Sequence, residues 1–303
     1  MDGPNQTATE FLLLGFSEQE EVVFGMFLGM YMVTISGNLL IILAISCDPR
    51  LHTPMYFFLA NLSSVDICFS SVTVPKALVN HVLGSKTISY TECMAQMYFL
   101  FIFGNMDGFL LSVMAYDRYV AICHPLHYTM MMRPRLCVLL VAISWVITNL
   151  HALLHILLMV QLTFCSYNAV HHFFCDPYLI LKLSCSDTFI NDVAAFTEGP
   201  LIFLTPFICI VVSYAYIYAK VLKIPSAHGI KKALSTCGSH LTVVCLFYGA
   251  ILGVYMHPSS SYSLQDAVAS VIFTVVTPMV NPFIYSMRNR DIKGALRRII
   301  LTS

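Results

Sequence analysis

The chain has 303 residues, 58% of them hydrophobic and only 11% charged, with a formal net charge of +0. Soluble domains carry about 25% charged residues, so this composition argues against an ordinary soluble enzyme. The neutral balance does not suggest a nucleic-acid partner.

Residues 1–21 are acidic, and their apolar run Phe11–Leu14 is too short for the core of a signal peptide. No cleavable leader is evident, and the first apolar span is expected to serve as the insertion signal. Asn5-Gln6-Thr7 is a glycosylation sequon, which marks Asn5 as a candidate acceptor. Asn61-Leu62-Ser63 matches the same pattern but falls inside a predicted span.

Seven stretches are apolar over the roughly 20 residues that cross a bilayer. They are 22–45, 55–83, 94–120, 136–160, 194–221, 234–255 and 267–287. The second is interrupted by Asp66, Pro75 and Lys76. The predicted class is therefore an all-α membrane protein, a seven-transmembrane helix bundle embedded in the lipid bilayer. Residues 22–287 form one domain, with one long outer loop at about 161–193. Residues 288–303 place Ile292, Ala295, Leu296, Ile299 and Ile300 on one helical face, flanked by arginine and lysine. That pattern predicts a short amphipathic helix on the inner leaflet.

Orientation follows from the basic residues. Of the 16 lysines and arginines, all but Lys76, Lys86 and Lys182 fall on one side of a seven-span arrangement. The positive-inside rule puts that side in the cytoplasm and the N-terminus outside, in the manner of a multi-pass plasma-membrane protein.

Seven of the 11 cysteines fall in spans or on the cytoplasmic side, where disulfides are rare. Cys93, Cys165, Cys175 and Cys185 fall outside. Four cysteines allow three pairings, and spacing alone does not choose among them.

Charges inside a membrane are costly and mark sites. Asp66 and Asp107 lie near the middle of the second and third spans, with Asn38 and Asn281 at comparable depth. This set could hold a sodium ion, share a proton between the carboxylates, or form a plain hydrogen-bonded network. Glu198, near the outer end of the fifth span, faces either a ligand or the headgroups. His151 and His155, one turn apart on the fourth, form either a pocket wall or an interhelical contact. His171, His172, Cys175 and Asp176 make a loose metal-like cluster, better explained by a disulfide at Cys175. Pro206, Pro278 and Pro282 remove backbone donors and can kink their helices, and Gly104, Gly108 and Gly249 leave room beside them. A kinked bundle can switch between two packings.

The third span ends in MAYDRYVAICHPLHY, residues 114–128. Its Asp117-Arg118-Tyr119 resembles the signature of rhodopsin-like G-protein-coupled receptors, and the longer string resembles odorant receptors. Gly37-Asn38, PMYFFLANLSSVD (54–66), Ser213-Tyr214, KALSTCGSH (232–240) and PMVNPFIYSMRNRD (278–291) agree in order. The Ser-Thr-Cys-Gly-Ser-His string resembles the tetrapod-type (class II) receptors, and the subfamily looks like family one.

The resemblance implies disulfides Cys93–Cys175 and Cys165–Cys185. It implies a switch made of Asp117, Arg118, Tyr119, Tyr214, His240, Asn281, Pro282 and Tyr285, with Arg118 meeting the G protein once the sixth span swings out. Asp66 and Asp107 match the positions of a sodium site, the one ion the resemblance implies. The expected partners are a small-molecule odorant and a heterotrimeric stimulatory G protein of the olfactory type, which raises cyclic AMP. Matching pocket positions are Leu100, Phe101, Gly104 and Asn105 in the third span and Ile202 and Phe203 in the fifth. Tyr248, Ile251, Leu252 and Tyr255 follow from the sixth, and Thr274 from the seventh. Tyr248 stands where many rhodopsin-like receptors carry tryptophan. Leu100 stands where amine receptors carry aspartate, which argues against a cationic ligand, and the absence of lysine from the seventh span excludes a retinal Schiff base. A small, mostly neutral organic ligand is expected.

Two other classes compete with this reading. A transporter or proton channel using Asp66 and Asp107 calls for inverted repeats or paired broken helices, and the sequence shows neither. An intramembrane hydrolase using a serine and His240 lacks a group to orient the histidine, so no enzymatic activity is expected.

Overall fold

The computed structural model describes residues 9–15, 20–165, 168–223, 227–255, 264–288 and 290–302. Asn5 and its sequon lie outside them. The principal helices are α1 (Glu20–Cys47), α2 (Pro54–Leu83), α3 (Tyr90–Cys123), α5 (Pro134–Met159), α7 (Phe189–Val221) and α8 (Ala227–Tyr255). They are followed by α9 (Leu264–Val271), α10 (Thr277–Arg288) and α11 (Arg290–Thr302), while α4 (Tyr128–Met131) and α6 (Pro177–Leu181) are short loop helices. The result is an all-α bundle in which six helical segments are long and apolar enough to cross a membrane. They are Glu21–Cys47, Pro54–Leu83, Tyr90–Cys123, Pro134–Met159, Phe189–Val221 and Val268–Tyr285. Helix α8 carries a shorter apolar stretch, Cys237–Gly253. The chain is thus a multi-pass membrane protein.

Helix α3 forms the spine, packing against α2, α5, α7 and α8. Its start is local chemistry: Ser89 Oγ accepts from Glu92 N at 3.3 Å, and Glu92 Oε2 accepts from Ser89 N at 3.1 Å. This capping box satisfies two otherwise orphaned donors, so the helix begins several residues before hydropathy alone placed it. Glu92 also pairs with Lys76 at 3.1 Å, which accounts for the lysine in the second span. Helix α2 continues through Pro75 and stops at Gly84, whose φ of 61° is the left-handed conformation that glycine adopts without penalty.

Prolines shape the last crossing. Pro278 has no N–H for the Thr274 carbonyl, and the backbone widens into a π-turn over Ile272–Val276. Pro282 likewise leaves the Pro278 carbonyl without its intrahelical donor. Asn38 Nδ2, from α1, donates to that carbonyl at 3.1 Å. Gly37 makes the approach possible, because a Cβ there would sit 3.2 Å from Pro282 Cβ.

One end of the bundle carries a feature absent from the hydropathy reading. Residues Glu10–Leu13 form strand β1, which pairs antiparallel with β2 (Thr87–Ser89) and parallel with β3 (Ala169–Val170). Phe11 is fully buried there and meets the Phe164 ring edge-on at 5.4 Å. Disulfides join Cys93 to Cys175 and Cys165 to Cys185. Gln96 ties the same loop to two helices: its Oε1 accepts from Cys175 N at 2.8 Å and its Nε2 donates to the Val72 carbonyl at 2.9 Å.

At the opposite end, Ile292 and Ala295 of α11 are buried in the main core. Tyr56 Oη donates to Asp291 Oδ2 at 3.1 Å, and Arg298 pairs with Asp48. Asp48 also binds Arg50 Nε at 3.1 Å.

Candidate functional site

Two regions on α3 gather the side chains singled out above. The first lies between α3, α5 and α7. Phe101 stacks on His155, centroids 5.2 Å apart, and meets His151 edge-on at 5.5 Å. Asn105 Nδ2 stands 3.2 Å from His151 Nδ1. Glu198 of α7 points back at both histidines, 3.1 Å from His155 Nε2 and 3.9 Å from His151 Nε2. Beside this group, Phe203 and Phe207 pack on Tyr248 at 5.1 and 4.8 Å, and Phe247 contacts both Tyr248 and Phe273. Gly104 opens onto Phe273, 3.4 Å from where a Cβ would sit. Ile251 is buried in the main core and Ile202 is half-buried.

Other members of the expected lining stand apart. Leu100 turns toward a separate cluster with Phe27, Phe173 and Phe174. Leu252 is 47% exposed and joins no buried cluster. Thr274 is buried, and its hydroxyl donates to the Ser270 carbonyl at 2.8 Å. Tyr255 ends α8, and its side chain lies outside the described residues. A cleft of about 180 Å³ lies elsewhere, between the β1 end, α1 and α2, lined by Phe24, Phe27, His81 and Phe173 among others. It contains none of the expected lining residues.

The second region lies at the far end of α3. Arg118 is 5% exposed, and its charge acts on Tyr214, Cys237, His240 and Tyr285. Tyr214 Oη lies 2.9 Å from His240 Nδ1, and His240 Nε2 lies 3.0 Å from the Leu111 carbonyl. A carbonyl only accepts, so Nε2 carries the proton and the tyrosine hydroxyl donates to Nδ1. This chain of bonds joins α7, α8 and α3. Asp117 accepts from the Tyr128 hydroxyl at 2.8 Å. Burial, then the Asp117 charge, pushes the Tyr128 phenol above its ordinary range. Tyr119 is half-buried and packs on Tyr216 and His124. Tyr285 and Pro282 are buried on α10.

Between the two regions, Asn281 Nδ2 donates to both oxygens of Asp66, at 3.0 and 3.1 Å. Asp66 and Asp107 are buried and close enough for their charges to act on each other.

The whole chain also compares closely with known proteins. A family profile described as olfactory receptor matches residues 27–303. Olfactory receptor 1f45 of the rat is 59% identical over 99% of this chain and 97% of its own length. Human olfactory receptor 1F1 is 59% identical over 99% of this chain and 98% of its own, and chimpanzee olfactory receptor 1E1 is 56% identical over 99% and 97%.

The chain belongs to the olfactory receptor family. It is a rhodopsin-like, family-one-like receptor, and such receptors signal rather than catalyse.

Within this olfactory receptor, the midplane set fits a hard cation. Its donors are all oxygens, as such ions require. Among the described residues of this set, Asp107 Oδ1, Asn281 Oδ1 and Asn38 Oδ1 are buried without a hydrogen-bond partner.

Several residues of both regions escaped the sequence reading. Cys237, treated as an ordinary intramembrane cysteine, is buried and packs with Tyr214. Gln96 carried no motif, and Tyr128, the last residue of the 114–128 string, was given no role there. Their polarity at the ends of apolar segments was the only signal.

Proposed function

We propose that this olfactory receptor crosses the membrane seven times, with α8 as the sixth crossing and α9, the π-turn and α10 together as the seventh. The N-terminus is extracellular, and α11 lies on the cytoplasmic leaflet. A small, mostly neutral odorant enters between α3, α5, α7 and α8, displacing the rings that now pack on Tyr248 and Phe101. The lining is apolar with few hydrogen-bonding groups, as small-molecule pockets usually are. Asn105 orients the ligand through one hydrogen bond, with Tyr255 as the second candidate.

The observation that carries this reading is the Tyr214–His240–Leu111 chain beside the buried Arg118. It spans the three helices whose relative movement would uncover the arginine. An odorant that binds better when α7 and α8 have moved favours an open packing already present at low population. Arg118 then meets a stimulatory olfactory-type G protein, and cyclic AMP rises. A sodium ion held by Asp66 and Asp107 would favour the closed packing. Its charge would offset that of the two carboxylates, and Asn281 would orient Asp66 beside it.

Cells expressing the receptor with the olfactory G protein, screened with an odorant panel, test the reading. A saturable cyclic AMP rise to at least one odorant is expected. Ion currents or proton uptake without any G protein would favour the channel reading instead.

A further inference from the structure

His151 and His155 of α5 and Glu198 of α7 make a polar contact between the two helices. The histidines are four residues apart on α5, which puts both rings on one face, 4.6 Å between centroids. Glu198 comes from α7. One ligand atom from each of the three residues lies within 4.8 Å of the others, and His151 is buried. In a tetrahedral zinc site, with bonds of about 2.0–2.2 Å, neighbouring ligand atoms stand about 3.3 Å apart. The two histidine-to-carboxylate separations, 3.1 and 3.9 Å, bracket that value.

We propose that these three residues form a zinc-class divalent metal site clamping α5 to α7. Two imidazole nitrogens and one carboxylate oxygen suit zinc, as three-ligand sites with an open fourth position show. Pairs of histidines at this helical spacing are a common chelating arrangement. The surroundings supply the outer support such sites need. Phe101 walls one side, and Asn105 holds the far nitrogen of His151 at 3.2 Å. Metal on His151 Nε2 requires the proton on Nδ1. The Asn105 amide then turns its oxygen toward that proton, a rotation that exchanges two groups of nearly equal size. Pro200, two residues beyond Glu198, lacks the N–H that would bind the Phe196 carbonyl, which loosens α7 where Glu198 must shift.

Full-length receptor, purified without a polyhistidine tag and held in lipid nanodiscs, is titrated with zinc against a competing zinc indicator. Saturable binding of about one ion per receptor is expected. It should weaken at least tenfold in Glu198→Gln and in His155→Ala, and return in Glu198→His, which replaces one ligand atom by another. Asn105→Leu should weaken it about tenfold through loss of outer support. His171→Ala, in the outer loop, should leave it unchanged. Zinc should also raise the melting temperature of the parent receptor and not that of Glu198→Gln. Glu198→Gln is nearly isosteric, so it serves if His155→Ala does not fold. Absence of saturable binding, or equal affinity in Glu198→Gln and the parent, overturns the proposal, as does binding that depends on His171. The readout is the metal itself, so the outcome is independent of any odorant response.

Discussion

Tyr214 Oη stands 2.9 Å from His240 Nδ1, and the same histidine reaches the Leu111 carbonyl with its other nitrogen at 3.0 Å. One imidazole therefore holds three helices together beside Arg118. A net hydrogen bond is worth about 1 kcal/mol, enough to shift an equilibrium between two packings about fivefold. His240→Ala should raise basal cyclic AMP several-fold per receptor at the cell surface. Basal signalling that stays level, with equal surface expression, would show that this bond does not hold the closed packing.

Asn38 and Gly37 act on α10 from α1. Asn38→Ala leaves the Pro278 carbonyl buried without a donor, at a cost of about 1–3 kcal/mol. Gly37→Ala forces a methyl against the Pro282 ring, which costs about as much. Both variants should melt a few degrees below the parent in detergent. Unchanged melting would mean that this contact is dispensable.

Six of the seven expected crossings were legible because apolar runs of bilayer length leave few alternatives, whereas α8 carries only a shorter apolar stretch. Their ends were less so. The fifth crossing begins at Phe189, ahead of the start at 194 that hydropathy gave, because Asn191 and Asp192 count against its first turn in a hydropathy sum. Strand β1 was invisible, since four residues such as Glu10–Leu13 become a strand only when the distant Thr87–Ser89 and Ala169–Val170 arrive beside them. The candidate site divides the same way. Arg118 and Tyr214 stand inside readable motifs. That Glu198 turns toward His151 and His155 depends on the rotation of two helices about their axes, which one sequence does not encode in any local pattern.

The two disulfides close loops of unequal length, with separations of 82 and 20 residues. Chain entropy makes the longer closure worth about 1 kcal/mol more. Replacing Cys93 and Cys175 by serine should lower thermal stability and surface expression more than replacing Cys165 and Cys185. Equal losses, measured by surface labelling and melting, would point to contacts such as Gln96 as the main anchor.

Asp48 clasps α11 through Arg298, and Arg50 holds its other side. Burial pushes its carboxyl up, but the Arg50 and Arg298 contacts outweigh it and hold the pKa at about 2. The sign follows from linkage: a depressed carboxyl contributes stability above its ordinary pKa, and that contribution is lost as pH falls toward about 2. The clasp should therefore be insensitive to pH between about 5 and 8. Asp48→Asn should speed hydrogen exchange across Arg290–Thr302 at neutral pH; exchange as slow as in the parent would place the anchoring at Tyr56 and Ile292 instead.

Odorant-dependent nucleotide exchange tests the central claim most directly. Purified receptor is mixed with a stimulatory olfactory-type G protein, with and without an odorant identified by the panel. The odorant should accelerate exchange on the parent receptor. Arg118→Ala, folded and still binding the odorant, should abolish that acceleration. Undiminished acceleration by Arg118→Ala would contradict the role assigned to the arginine and to the bond chain beside it.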